Sequence, residues 1–308
     1  MLKKIIKLGR FQFALPVFMV FTCGALLAVL TKEAFNLTKF LFGYFIFFSA
    51  QLSVQYSNDY FDYDVDRLTS PTFFSGGSKV LQDNETLKIF SKWISIFFVI
   101  TSIILSILFV LLFKVSIKII IMAVFANFLG WFYTAPPLKL SYRGLGEIVI
   151  ILTVAVILPI AGFITIQDTL NKEIIVILVP LLLYTAMLAI AVQIPDYRAD
   201  RIAGKKNLVS VYGRKAGFLF LFIFSLAASL YFIILAALNL FNRFYYYNIN
   251  FILLVLISLS TLITSIIGFI IKPSKRKNIA SFIGILFITL VLILFIFNIH
   301  LIILILSG

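Results

Sequence analysis

The sequence predicts an all-α, polytopic membrane protein with nine transmembrane helices in one bundle, around a cavity that opens to the cytosolic side. Three observations predict it. The 308-residue chain is 62% hydrophobic and 12% charged, with repeated apolar stretches long enough to cross a bilayer. The Ile, Leu, Phe and Val runs are continuous, without the alternation of a membrane barrel, and lipid leaves only helices otherwise. Basic residues concentrate in alternate connections, as membrane topology requires. The whole of 1–308 reads as a single integral-membrane domain.

Apolar runs and their breaks place the helices at 12–31, 38–57, 90–113, 116–133, 146–167, 174–194, 216–239, 250–271 and 279–306. The third and fourth are divided only by a short basic turn containing Lys114 and Lys118. The basic start, with Lys3, Lys4, Lys7 and Arg10, resembles a signal peptide, but the following run is too long and many others succeed it. It reads as the arm before a first span.

With nine spans, the N-terminal arm and the connections after even-numbered helices hold 20 of the 26 Lys and Arg, and the other face holds 6. The positive-inside rule then puts the N-terminus in the cytosol. Topology and attraction to anionic lipid account for the net charge of +14, so no nucleic-acid partner is needed. Cys23 has no intrachain partner and His300 is the lone histidine, which removes disulfides, cysteine metal sites and histidine catalysis from consideration.

Against this background carboxylates are scarce, and half of the 12 fall in two short strings, Asn58-Asp59-Tyr60-Phe61-Asp62-Tyr63-Asp64-Val65-Asp66 and Asp196-Tyr197-Arg198-Ala199-Asp200. Each closes a long apolar run, the second and the sixth. At about 100° per residue, a helix continued through the first string brings Asp59, Asp62 and Asp66 within roughly 60° of one another, and turns Asp64 away. Asn58 borders that face. Asp196 and Asp200 lie one turn apart, with Pro195 loosening the helix ahead of them.

Three like charges on one face repel unless a cation compensates. Magnesium takes oxygen ligands, often one or two carboxylates together with substrate phosphates, so two such helix ends facing each other suit one or two ions around a pyrophosphate. Arg67, Lys79, Arg143, Arg198, Arg201, Lys205 and Lys206 share the same connections, as a phosphate-bearing substrate requires. Ordinary solvated helix ends, or a sodium or proton site in an ion-coupled transporter, remain as alternatives. Both strings lie at one membrane face, whereas transporter sites tend to be central.

The strings resemble the motifs of the UbiA-type intramembrane prenyltransferases: Asn58, Asp59, Asp62 and Asp66 match N-D-x-x-D-x-x-x-D, and Asp196 and Asp200 match D-x-x-x-D. Ser75-Gly76-Gly77-Ser78-Lys79-Val80-Leu81, and the segment from Tyr133-Thr134-Ala135-Pro136-Pro137 through Leu138-Lys139-Leu140-Ser141-Tyr142-Arg143 to Gly144-Leu145-Gly146-Glu147, are similar to 1,4-dihydroxy-2-naphthoate polyprenyltransferases of menaquinone synthesis. Pro137 stands where the 4-hydroxybenzoate branch typically has lysine. The asparagine and Arg-Pro pair typical of the archaeal ether-lipid branch do not follow Asp66. The menaquinone branch often varies its second motif, which is intact here.

The resemblance implies transfer of a polyprenyl group from polyprenyl diphosphate to an aromatic, quinone-precursor acceptor in the lipid membrane of a prokaryotic cell, with loss of the carboxyl group if the acceptor is dihydroxynaphthoate. It implies Mg2+ held by Asn58, Asp59, Asp62, Asp196 and Asp200. Lys79, Arg143, Arg201 and Lys205 would contact phosphate or the acceptor's carboxylate, and Asp62, Asp66, Tyr133 and Arg143 would form the catalytic set. Prenyl transfer to 4-hydroxybenzoate, a glycerol phosphate lipid or haem is the alternative within the family.

Overall fold

The structure is a computed structural model that describes residues 2–31, 34–68, 73–74, 76–237 and 251–307. Among these residues there are helices and no strands. Among the described residues nine apolar helices carry the fold: α1 (Phe11–Leu30, opening with a 3-10 turn), α2 (Leu37–Phe61), α3 (Leu87–Phe113), α4 (Lys118–Trp131), α5 (Gly146–Ile166), α6 (Ile175–Ala191), α7 (Arg214–Ala237), α8 (Phe251–Ile271) and α9 (Arg276–Ser307). Among the described residues seven are long and apolar enough to cross a membrane, while α4 and α6, at 14 and 17 residues, fall short of that length. The expected boundaries are met to within a few residues. The expected eighth helix begins on residue 250 and the seventh ends on 239, both outside the described residues. Arg243 and Lys32, used in the charge count, also lie outside them, as does Ser75.

Several ends have local causes. Asn36 caps α2 by accepting from the Lys39 amide at 2.9 Å, satisfying one orphan donor of the first turn. The break between α3 and α4 is real. Lys114 takes a left-handed conformation at φ 52°, which cannot continue a helix. The basic arm is not merely extended, since Leu2–Leu8 forms a short helix. α5 is also unusual: Ile151–Ile157 is wound as a π-helix, a form concentrated at functional sites.

Small residues let the helices approach, as packing within lipid demands. On α1 and α5, a Cβ on Gly24 would strike the Pro159 carbonyl and one on Gly162 would strike the Phe21 carbonyl. Neither glycine admits a side chain. Between α2 and α3, the Ser95 hydroxyl donates to the Ser53 carbonyl at 2.9 Å and Ser91 to the Tyr56 carbonyl at 2.9 Å. α7 and α8 are joined by Ser229 donating to the Ser258 carbonyl at 2.9 Å, and α9 meets α1 through Asn298 and the Met19 carbonyl at 3.0 Å.

The N-terminal arm and the connections after α2, α4, α6 and α8 gather at one end of the bundle. Gln12 reaches the Phe73 carbonyl, Tyr142 reaches Asp62, Lys205 reaches Asp62, and Arg276 reaches Asp196. Thr31 and Gln167, and Ser116 and Asp168, pair the connections after α1, α3 and α5 elsewhere. Both acidic strings therefore share one end.

Candidate active site

The first string keeps its helical phase through a change of element. α2 ends at Phe61 and Asp62 sits at φ −90°, ψ 9°, yet the Asp62 amide bonds the Asn58 carbonyl at 2.8 Å and the Asp66 amide bonds the Asp62 carbonyl at 2.8 Å. A short helix, Tyr63–Arg67, follows. Asp59, Asp62 and Asp66 are consequently buried, at 2%, 8% and 9% exposure, while Asp64 is exposed. In the second string α6 stops at Ala191, turns carry the chain through Pro195, and Asp196 begins the helix Tyr197–Ile202. The Asp200 amide bonds the Asp196 carbonyl at 2.9 Å, so these two carboxylates are one turn apart.

Lys205 joins the strings. Its Nζ lies 2.8 Å from Asp62 Oδ2 and 3.8 Å from Asp200 Oδ1. Asp62 Oδ1 also accepts from the Tyr142 hydroxyl at 2.7 Å, and Asp200 Oδ2 from Asn207 Nδ2 at 2.7 Å. Asp59 Oδ1 is paired with Arg10 Nη2 at 2.8 Å, and its Oδ2 accepts from the Ser78 hydroxyl. Asp196 Oδ1 is paired with Arg276 Nη2 at 2.8 Å. Asn58 Oδ1 accepts from the Thr134 hydroxyl at 2.9 Å.

The carboxylates of both strings, with Asn58, Arg10 and Lys205, face one cavity of about 460 Å³, in the usual range for a ligand site. Asn58, Asp59, Asp62, Asp66, Asp196, Asp200, Lys205, Arg10 and Tyr133 all line it. Away from the acidic end its wall is apolar, with Val20, Phe47, Leu158, Leu181, Leu290 and Leu294 contributed by five helices. The shape suits a molecule with a charged head and a hydrocarbon tail.

Burial shapes the charges. It pushes the Asp66 carboxyl up to about 7, with Asp59 and Asp62 adding to the rise and Arg10 and Lys205 opposing it. It pushes Asp200 up to about 6, against the pull of Lys205. Burial would lower Lys205, but Asp62, Asp200 and Tyr142 outweigh it and hold the ammonium above its ordinary value. The lysine stays charged.

The other expected residues are placed differently. Lys79, at φ 61°, points its ammonium at the Asp66 backbone carbonyl. The loop reaches Asp66 because Gly77, at φ 70°, has no Cβ to strike that carboxylate. Arg143 is exposed and donates to the Pro137 carbonyl at 3.0 Å, and Arg201 donates to the Tyr197 hydroxyl at 3.0 Å. Neither is among the lining residues.

The expectation that a cation must answer the stacked carboxylates is met in this arrangement by Arg10 on Asp59 and Lys205 on Asp62, with Arg276 answering Asp196 in the second string. Arg10 and Arg276 gave no local signal, being remote in sequence and counted only as topology charges. Tyr142 and Glu147 lay within the segment that carried the family resemblance. The donor chemistry still fits magnesium, because carboxylate and amide oxygens are what this hard cation takes.

Residues 18–266 match the UbiA prenyltransferase family. The chain is similar in structure to a digeranylgeranylglyceryl phosphate synthase, at 18% identity and TM-score 0.67, over 98% of each chain. It is also similar to a UbiA homologue from Archaeoglobus fulgidus bound to GPP and Mg2+, at 18% identity and TM-score 0.64, over 98% of this chain and 99% of that one. A UbiA homologue from Aeropyrum pernix K1 gives 12% identity and TM-score 0.63, over 90% and 97%. No curated protein matches the chain. At these identities the structures speak for the fold, whereas the family match runs from α1 into α8 and encloses both acidic strings. The chain belongs to the UbiA prenyltransferase family.

Proposed function

We propose that this prenyltransferase moves a polyprenyl group from its diphosphate to 1,4-dihydroxy-2-naphthoate, in a bundle of nine membrane crossings whose acidic end and N-terminus face the cytosol of a prokaryotic cell. The observation that carries the donor half is Lys205, whose single ammonium touches both acidic strings at the head of an apolar cavity. The Archaeoglobus fulgidus homologue has been seen with DMAPP and Mg2+, and with GPP and Mg2+, which supports the same donor chemistry here. The acceptor rests on the sequence segments around Lys79 and from Tyr133 to Glu147. The 20-to-6 division of basic residues supports the orientation.

Asn58, Asp59, Asp62, Asp196 and Asp200 would hold magnesium, with Asp66 beside them. Bound there, the ion would stabilise negative charge on the departing diphosphate. Lys205 and Arg10 line the same head and take the phosphate-binding part, whereas Lys79, outside the lining, turns its ammonium to the Asp66 backbone carbonyl. Arg143 and Arg201, outside the lining, do not carry that part in this arrangement. When the allylic carbon–oxygen bond breaks, its electron pair leaves with the diphosphate. The apolar wall then keeps water from the allylic cation, and Tyr133 borders the cavity where its ring can face that charge.

Purified protein in lipid, given labelled prenyl diphosphate, Mg2+ and a panel of naphthoate, benzoate and glycerol phosphate acceptors, tests the reading. Prenylated naphthoate is expected, and it should disappear in Asp62→Ala and Asp196→Ala. Product from the glycerol phosphate acceptor alone would replace the acceptor. Undiminished activity in both variants would remove the mechanism.

A further inference from the structure

A group of cations gathers outside the cavity, at the acidic end of the bundle, without a counter-ion. Arg67 Cζ lies 4.7 Å from the centre of the Tyr63 ring, and Lys88 Nζ lies 4.1 Å from it. Lys88 and Lys92 are also 5.9 and 5.8 Å from the centre of the Tyr60 ring. Arg67 donates to the Tyr63 hydroxyl at 2.8 Å, and the tyrosine beneath is 3% exposed. Asp64, Asp83 and Glu85 are close in sequence, yet among the described residues none of the three cations forms an ion pair. None of them lines the cavity.

Aromatic faces attract these cations but leave their charge in place. Like charges converging from the first acidic string and from the first turns of α3 repel one another until an anion answers them. Their surroundings say which anion. Ile89 and Trp93 each directly follow one of the lysines, and with Phe97 they form a stripe at one-turn spacing, 68%, 62% and 57% exposed. On a membrane-spanning helix such a stripe meets lipid chains, and tryptophan favours the headgroup level. A soluble phosphate has no use for it. We propose that Arg67, Lys88 and Lys92 bind the phosphate of an anionic phospholipid, whose acyl chain lies along Ile89, Trp93 and Phe97.

The short helix Tyr63–Arg67 is thereby used on two sides. Asp66 is buried on one and Arg67 is exposed on the other, so the headgroup rests against the element that carries one of the site's carboxylates. Lys88 lies over both tyrosine rings, and a phosphate held there bridges the acidic string to α3. Basic connections are drawn to an anionic leaflet in general. This assignment differs in requiring one place, where three cations and an apolar stripe meet.

The test uses the chain's two tryptophans. Trp131→Phe leaves Trp93 as the sole reporter, and this protein is placed in phosphatidylcholine nanodiscs with rising fractions of lipid brominated on its chains, which quenches tryptophan on contact. Each cation should favour an anionic headgroup about five-fold. Half-quenching is therefore expected at a mole fraction of brominated phosphatidylglycerol about ten-fold or more below that of brominated phosphatidylcholine. Lys88→Gln with Lys92→Gln should remove most of that preference, and Lys88→Arg with Lys92→Arg should keep it. Lys275→Gln with Lys277→Gln removes the same charge at the same end of the bundle and should leave the preference unchanged.

Equal quenching by the two brominated lipids would overturn the inference, as would a preference that Lys275→Gln with Lys277→Gln lowers as much as Lys88→Gln with Lys92→Gln does. Quenching by neither lipid would mean that Trp93 is covered, as by a second copy of the chain, and would overturn it too. Relief of the phosphatidylglycerol quenching by inorganic phosphate at constant ionic strength would assign the place to a soluble anion instead. If the Lys88 and Lys92 double variant does not fold, Lys92→Gln alone is read. A loss of about five-fold is then expected, and no loss would refute the assignment.

Discussion

Replacing Lys205 with methionine removes the only ammonium that touches both strings among the described residues, while keeping most of the side-chain volume. At an effective dielectric of about 20, the 2.8 Å contact with Asp62 alone represents roughly 6 kcal/mol of gross Coulomb attraction. Desolvation of the lysine takes back part of this. The relevant quantity is the cost of leaving a carboxylate buried without its partner, about 3–5 kcal/mol for a broken buried pair. Tyr142 continues to hold Asp62 Oδ1 and Asn207 continues to hold Asp200, so the lower end of that range is expected. In metal-free nanodiscs Lys205→Met should lose on the order of 10 °C in Tm. Mg2+ should restore more stability to the variant than it adds to the unmodified protein, because a divalent cation takes over the vacated compensation. The loss should also shrink toward acidic pH, where Asp200 can be neutralised by a proton instead. Prenyl diphosphate KM should rise about ten-fold or more from the lost phosphate contact. A metal-free Tm within 2 °C of the parent, or an unchanged donor KM, would refute the argument that Lys205 is the hinge of the site.

Two further outcomes are expected. Asp66 and Asp200 have folded-state values raised to about 7 and about 6 from an ordinary 3.8. A raised carboxyl favours the folded state when protonated, so that contribution is complete below about pH 4 and is lost as pH rises through 6 to 7. Tm measured in EDTA should therefore fall between pH 5 and 8, while Mg2+ affinity should rise over the same window as protons leave. A flat profile for both would contradict the burial of these groups. Gly77→Ala places a methyl against the Asp66 carboxylate at φ 70° and should cost about 1–3 kcal/mol of stability, with weaker Mg2+ binding by calorimetry. Unchanged binding and stability would show that the loop closes over Asp66 without needing glycine.

Much of this architecture is legible in one dimension because its causes are local or periodic. Lipid imposes long apolar helices, so composition and run length suffice for the helical class and for boundaries within a few residues. Helical phase marks Asp59, Asp62 and Asp66 for burial and Asp64 for exposure, and it survives the change of element at Asp62 because the hydrogen-bond ladder continues across it. The paired motifs also carry the family. The shortness of α4 was less visible, since Phe132 and Tyr133 extend the apolar run although the chain leaves the helix at Trp131.

What could not be read along the chain is which charge answers which. Arg10 meets Asp59 across 49 positions, Lys205 meets Asp62 across 143, and Arg276 meets Asp196 across 80. No periodicity connects such residues, and in the sequence Arg10 and Arg276 are indistinguishable from their neighbours in a basic connection, while Lys205 stands out only through the family resemblance. Arg143 and Arg201 looked equally suitable, yet their side chains lie outside the cavity lining. Lipid and the repeat of the helix specify elements from nearby residues alone, whereas charge compensation at a buried site is settled by packing that brings distant side chains within 3 Å of one another.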